Sequence, residues 1–153
     1  MAIGTIGTEK PIKPMRVLTR RGTVLFCSNE PDFLMNLVVQ SVVEKVLGWH
    51  LRQEKAELRK AMEAAIYTRC SVVIIGLVRD VDSVIGALMY LRLMEEDADL
   101  DPIPVVVASM YPIPELTTEK LLLAGAGQVV GCVVGLDGMY HALKNATDEQ
   151  TKE

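Results

Sequence analysis

Two spacings alternate along the chain from Thr23 onward. Short, nearly unbroken apolar runs, TVLFC (23–27), SVVIIGLV (71–78), PVVVAS (104–109) and VVGCVV (129–134), are separated by longer amphipathic stretches. An apolar run without polar alternation marks a strand covered on both faces, as in a parallel sheet. The longer stretches carry a helical stripe. In KAELRKAMEAAIYT (55–68), Leu58, Met62, Ala65 and Ile66 fall on one face. A first helix is expected from Pro31 to about Leu47, ended by Gly48. Another covers 82–96, with Val84, Ile85, Leu88, Leu91 and Leu93 as its apolar material. A short one runs from Glu115 to Leu123 before the glycines of AGAG, and a last one covers 138–145 with Asp137 as N-cap. WHLRQ (49–53) reads as a weaker second strand, with Trp49 covering the second helix.

Five strands alternating with five helices call for an α/β fold: three αβα layers, a five-stranded parallel sheet and right-handed crossovers. In such folds ligands and chemistry sit beyond the carboxyl ends of the strands. Those ends supply Cys27 to Glu30, Gly76 to Asp82, Ser109 to Tyr111, and Cys132 to Gly135.

Composition narrows the classes. The chain has 153 residues, half of them hydrophobic, enough for one domain with a sizeable core. A net charge of −4 with interspersed signs argues against a nucleic-acid partner, and the apolar runs are too short for membrane insertion. Without a basic start followed by a 7–15-residue apolar stretch, no secretory signal is expected. Three cysteines, Cys27, Cys70 and Cys132, suit reduced thiols in a cytoplasmic protein better than a disulfide framework. His50 and His141 lack partners at ligand spacing, so neither metal nor cofactor is expected. Residues 1–22 stand apart as a basic extension with Lys10, Lys13, Arg16, Arg20 and Arg21 against Glu9, and Pro11 and Pro14 block a helix there. The domain is expected over 23–146, followed by a polar tail, 147–153.

The order of several stretches resembles the CheY-like receiver domain of bacterial response regulators. VLFCSNEPDFLMNLV follows that family's opening strand and the start of its first helix, IPVVVAS its fourth strand, and LLAGAG its Ala-Gly-Ala turn. The resemblance implies a flavodoxin-like sheet of strand order 2-1-3-4-5. In the family, an aspartate ending strand three is phosphorylated, with Mg²⁺ held by it and by an acidic pair after strand one. A lysine ending strand five contacts the phosphoryl group, and a Ser or Thr after strand four works with a strand-five aromatic. Laid onto this chain, the acidic pair falls on Ser28 and Asn29, the phosphoacceptor on Gly76, the lysine on Cys132 and the aromatic on Val129. Only Ser109 keeps the expected residue type.

Chemistry then argues for a degenerate pocket. Mg²⁺ needs near-octahedral oxygen ligands, carboxylates foremost. Glycine cannot form an acyl phosphate. A lysine left in a pocket without carboxylates would be an unpaired cation costing about 3–5 kcal/mol, which Cys132 avoids. The implied protein is a non-enzymatic pseudo-receiver that binds another protein in bacterial signal transduction or cell organisation. Its candidate interface is the face of helix four, strand five and helix five: Tyr111, Ile113, Leu116, Thr117, Lys120, Val129, Met139 and Tyr140. The partner is unnamed by the sequence, and a homodimer through that face is one candidate.

Two other readings use the same corner. Asp32, Asp80 and Asp82 could supply relocated carboxylates for atypical phosphochemistry, although acids suit the starts of helices for dipole reasons alone. LFCS also resembles the phosphocysteine loop of sugar phosphotransferase IIB proteins, with Cys27 as nucleophile. Glu30, Pro31 and Asp32 then stand where a phosphate loop needs backbone N–H groups and hydroxyls.

Overall fold

Residues facing opposite ways along each strand feed two separate cores. The computed structural model describes residues 22–30, 32–55, 57–133 and 136–151. The basic extension up to residue 21 and the helix start at Pro31 lie outside the described residues. Strand β1 is Thr23–Ser28, β2 His50–Gln53, β3 Val72–Gly76, β4 Val105–Ala108 and β5 Gln128–Val130. All four pairings are parallel and the order is β2-β1-β3-β4-β5, as expected. Helix α1 (Phe33–Gln40) continues as a π-helical segment, Ser41–Val46. Then come α2 (Leu58–Thr68), α3 (Val81–Asp97), α4 (Glu115–Ala124) and α5 (Leu136–Thr151).

Leu25, Cys27, Val73, Ile75, Val105 and Val107 point to one side, where α2, α3 and α4 cover them. Val24, Phe26, Val72, Ile74, Val106 and Ala108 point to the other, under α1 and α5. This double covering explains why β3 is buried throughout and reads as an unbroken apolar run. Trp49 belongs to the α1–α5 side, a correction to the expectation that it covers α2. As the residue just before β2, it follows the π-helical segment, where its backbone N–H donates to the Val43 carbonyl at 2.8 Å.

Local chemistry fixes the helix ends. Asp32 accepts from the Met35 N–H at 3.1 Å and N-caps α1, and Asp80 accepts from the Ser83 N–H at 3.3 Å and N-caps α3. Gly48, at φ +68°, turns the chain out of the first helix into β2. Arg92 and Glu95 tie the far end of α3 to its surroundings. Glu95, 3% exposed, accepts from Arg92 and from the Ile103 N–H, each at 2.7 Å, while Arg92 donates to the Gly125 carbonyl.

Two boundaries differ from the sequence reading. The last helix, expected over 138–145, runs from Leu136 to Thr151, so Asp137 lies inside its first turn. Thr147, expected in a polar tail, is 3% exposed and donates to the Leu143 carbonyl at 3.0 Å. Strand β5 ends at Val130 instead of continuing to 134. There the preceding loop presses on Gly131, where a Cβ would stand 3.0 Å from the Ile113 nitrogen and 3.1 Å from the Tyr111 carbonyl oxygen. Cys132 leaves the strand direction at φ +54°, its N–H donating to the Tyr111 carbonyl.

Candidate functional site

Beyond the carboxyl ends of β1 and β2 lies a cleft of about 880 Å³. Its walls come from the β1–α1 corner (Ser28, Asn29, Glu30, Asp32), the β2–α2 connection (Gln53, Glu54, Lys55, Glu57) and the start of α3 (Asp80, Asp82, Ser83). Phe26, Leu58 and Ala87 add apolar surface.

Ser28 and Gly76 are direct register partners across β1 and β3. The Ser28 hydroxyl lies within hydrogen-bond distance of the Glu30 and Gly76 carbonyls, the latter at 3.2 Å. A side chain at position 76 would therefore press against it. A Cβ there would lie 3.3 Å from Ser28 Oγ and 3.4 Å from both Ser28 Cβ and Phe26 Cε1.

Asn29 and Glu30 reach across to the β3–α3 loop. The Asn29 amide nitrogen donates to the Arg79 carbonyl, to the Asp80 carbonyl at 3.3 Å and to Ser83 Oγ at 3.1 Å. Its Oδ1 is buried without a hydrogen-bond partner. Both oxygens of the Glu30 carboxylate accept from the single Arg79 Nε–H, at 3.0 and 2.8 Å. These bonds tie two loops together where the family resemblance implies an ion and a phosphoryl group.

Ser28, Asn29 and Gly76 are thus brought together, Ser28 and Asn29 lining the cleft, whereas Gly76, Ser109 and Cys132 do not line it. Ser109 is 3% exposed, and its Oγ accepts from the Tyr111 N–H at 3.1 Å. Its carbonyl accepts from the Val133 N–H, which fastens β4 to the turn after β5. Cys132 is exposed beside the start of α5, which corrects its assignment as packing inside the pocket. The early end of β5 at Gly131 is the physical reason.

Cys27 is fully buried, and its thiol points to the Ile74 carbonyl at 3.8 Å. Burial pushes its pKa up to about 12, and Cys70 is pushed up to about 12 for the same first reason. A neutral, enclosed thiol is a poor nucleophile. Among the described residues, no group of three or more His, Cys, Asp or Glu side chains is placed to hold a metal ion, Asp32, Asp80 and Asp82 included. No helix among them is long and apolar enough to cross a membrane.

On the proposed interface, Tyr111 is 62% and Leu116 64% exposed, and Lys120 is exposed. Ile113 and Val129 are half-buried against the α2–α3–α4 core, and Thr117 and Tyr140 are half-buried. Met139 is fully buried under the sheet among the α1–α5 core residues and cannot present itself to a partner. Its place on the inward stripe of α5, with Ala142, Leu143 and Ala146, is the reason. Sequence reasoning passed over two α4 residues on the exposed side, Leu122 (45%) and Leu123 (89%). Three consecutive leucines cannot all face inward on one helix, and that was the available signal. It also missed the β2–α2 wall, although Glu54, Lys55, Glu57 and Arg59 directly follow a strand end.

No family model matches the chain, and no match is found among curated proteins. Solved structures do match. The receiver domain of Ssk1 from Saccharomyces cerevisiae, crystallised with the histidine phosphotransfer protein Ypd1, has a TM-score of 0.69 at 15% identity, covering 86% of this chain and 92% of that one. A protein described as pilus assembly-related, from Burkholderia pseudomallei, has a TM-score of 0.66 at 13% identity with the same coverages, 86% and 92%. Chemotaxis response regulator CheY4 of Vibrio cholerae has a TM-score of 0.64 at 15% identity, covering 82% and 98%. The fold is that of CheY-like receivers.

Proposed function

We propose that this protein is a pseudo-receiver: a receiver-type domain that works by binding another protein, without phosphorylation at the usual position. The observation carrying this reading is the Ser28–Gly76 pair. The strand-three position has no side chain, and its partner's hydroxyl crowds the space where one would stand. Asn29, at the second position of the expected acidic pair, is committed to holding the β3–α3 loop. The neighbours support a signalling setting, and the pilus assembly-related one supports a cell-organisation setting equally.

The binding face of this reading is α4 with the loop before it, presenting Tyr111, Leu116, Lys120 and Leu123. Leu116, Lys120 and Leu123 follow one another at helical spacing on α4, and exposed apolar residues beside charge are a common mark of a protein interface. A second copy of the chain is one candidate partner, distinguished by concentration-dependent sedimentation.

The phosphochemical part is tested by adding Mg²⁺ with beryllofluoride, a phosphoryl mimic, to ¹⁵N-labelled protein. The amide spectrum is expected to stay unchanged. Saturable shifts at Ser28, Asn29 and Gly76 would refute the reading. The binding part is tested by capture from native lysate with wild type, Tyr111→Ala and Leu123→Glu. Loss of the same captured protein in both variants is the expected result.

A further inference from the structure

Two neighbouring helices leave large apolar side chains standing in water. On α3, Met89 is 59% and Leu93 56% exposed, and on α4 Leu116, Leu122 and Leu123 are exposed as well. The helices pack side by side over the core that includes Leu25, Ile75 and Val107. Arg92 of α3 donates to the Gly125 carbonyl at the end of α4, at 2.7 Å. Single exposed leucines are ordinary on a surface, whereas five such residues on two packed helices mark an interaction site. Met89, Leu93 and Glu96 stand at i, i+4 and i+7, and Leu116, Glu119 and Leu123 at i, i+3 and i+7. Each helix therefore turns to solvent a stripe that combines apolar residues with a carboxylate.

Charge decides what covers this face. Glu96, Asp97, Asp99 and Asp101 lie at and beyond the carboxyl end of α3, and Glu115 and Glu119 lie on α4, all exposed. None of the six has a cationic partner among the described residues. The two helices hold only two cations, exposed Lys120 and Arg92, and Arg92 is already engaged by Glu95 and Gly125. The Arg92–Gly125 contact also sets the acidic end of α3 beside the carboxyl end of α4, whose carbonyls add to the negative potential. A second copy would bring the same six carboxylates against a single exposed lysine, so it is the poorer occupant.

We propose that the α3–α4 face receives an amphipathic helix of another protein. Its apolar side lies on Met89, Leu93, Leu116 and Leu123, and its lysines or arginines meet Glu96 to Asp101. A helix laid along two packed helices buries its apolar stripe against theirs, a recurring mode of peptide recognition. Lysine and arginine suit this rim because their stems cover leucine while their charge reaches the carboxylates. The inference rests on the partner-binding reading; it adds α3 to that face and names the partner's chemistry.

The test titrates the ¹⁵N-labelled full chain with a synthetic helix of about 18 residues, close to the length of α3. The peptide carries leucines at i, i+3, i+4 and i+7 and a terminal run of lysine and arginine. Saturable amide shifts are expected at Met89, Leu93, Leu116 and Leu123. A scrambled peptide of the same composition, and one with glutamate for every lysine and arginine, are expected to bind about tenfold more weakly or worse. Leu93→Glu, its fold checked by circular dichroism, is expected to weaken binding about tenfold, although its added negative charge would strengthen a purely electrostatic attraction. Equal binding by either control peptide, shifts centred on the cleft beyond β1 and β2, or full affinity in Leu93→Glu would overturn the proposal. A homodimer in sedimentation that Leu93→Glu dissolves would do so too, because a second copy would then own the face. In the lysate capture, loss with Tyr111→Ala and Leu123→Glu but retention with Leu93→Glu leaves the partner-binding reading standing and removes this one.

Discussion

Restoring a side chain at position 76 is the sharpest probe of the crowded strand-three position. Gly→Ala inside a strand ordinarily stabilises by about 0.5–1 kcal/mol, because alanine has less conformational freedom to lose. Here the added methyl meets Ser28 Oγ at 3.3 Å and Ser28 Cβ and Phe26 Cε1 at 3.4 Å, at a buried position. Overpacking of this kind costs about 1–3 kcal/mol, so Gly76→Ala is expected to lose about 0.5–2 kcal/mol net. Gly76→Asp adds a carboxylate at a buried position pressed against Ser28 and Phe26, and is expected to lose about 3–5 kcal/mol at neutral pH. Such a carboxyl is harder to ionise folded than unfolded. Its penalty is therefore smallest below the unfolded carboxyl pKa and grows as pH rises through it. Urea titrations followed by circular dichroism measure both losses at a shared m-value. The cycle with Ser28→Ala, which removes the nearest atom, should show a coupling of about 0.5–1 kcal/mol. A Gly76→Ala protein as stable as wild type, with strictly additive effects, would refute the reasoning.

Three other outcomes follow from the same geometry. Glu95→Ala leaves the Ile103 N–H without its acceptor and Arg92 with only the Gly125 carbonyl, and is expected to lose about 1–3 kcal/mol in the same titration. The buried thiols of Cys27 and Cys70 ionise near pH 12 folded but near 9 unfolded, so their contribution is intact below 9 and is lost as pH rises toward 12. Stability in reducing buffer should fall by about 1.4 kcal/mol per pH unit for each thiol over that range, and a Cys27→Ala, Cys70→Ala protein should lose that slope. Leu123→Glu and Tyr111→Ala, at exposed positions, should leave the unfolding free energy within about 0.5 kcal/mol of wild type in the same titration.

The fold was legible because burial on both faces writes itself as unbroken apolar runs, and β3, from Val72 to Gly76, is the clearest case. The end of β5 was not legible. Nothing local marks Gly131 as the place where the loop at Tyr111 and Ile113 presses in, because that contact joins segments 18 to 20 residues apart. Ser28, Asn29 and Gly76 could be placed together because parallel register follows from strand order. Cys132 was misplaced by the same shortening of β5. Met139 was misassigned because sequence position at a family interface says nothing about rotation of the helix, which Ala142, Leu143 and Ala146 set. The Glu30–Arg79 pair joins residues 49 positions apart, beyond the reach of any helical or strand spacing rule.

Asn29 and Glu30 together stitch the β1–α1 corner to the β3–α3 loop, with the Asn29 amide inside and the Glu30–Arg79 ion pair outside. A rim sewn shut at two points transmits little by bending. Whatever news this domain carries is therefore written in who occupies its surface and for how long, in the manner of a socket rather than a spring.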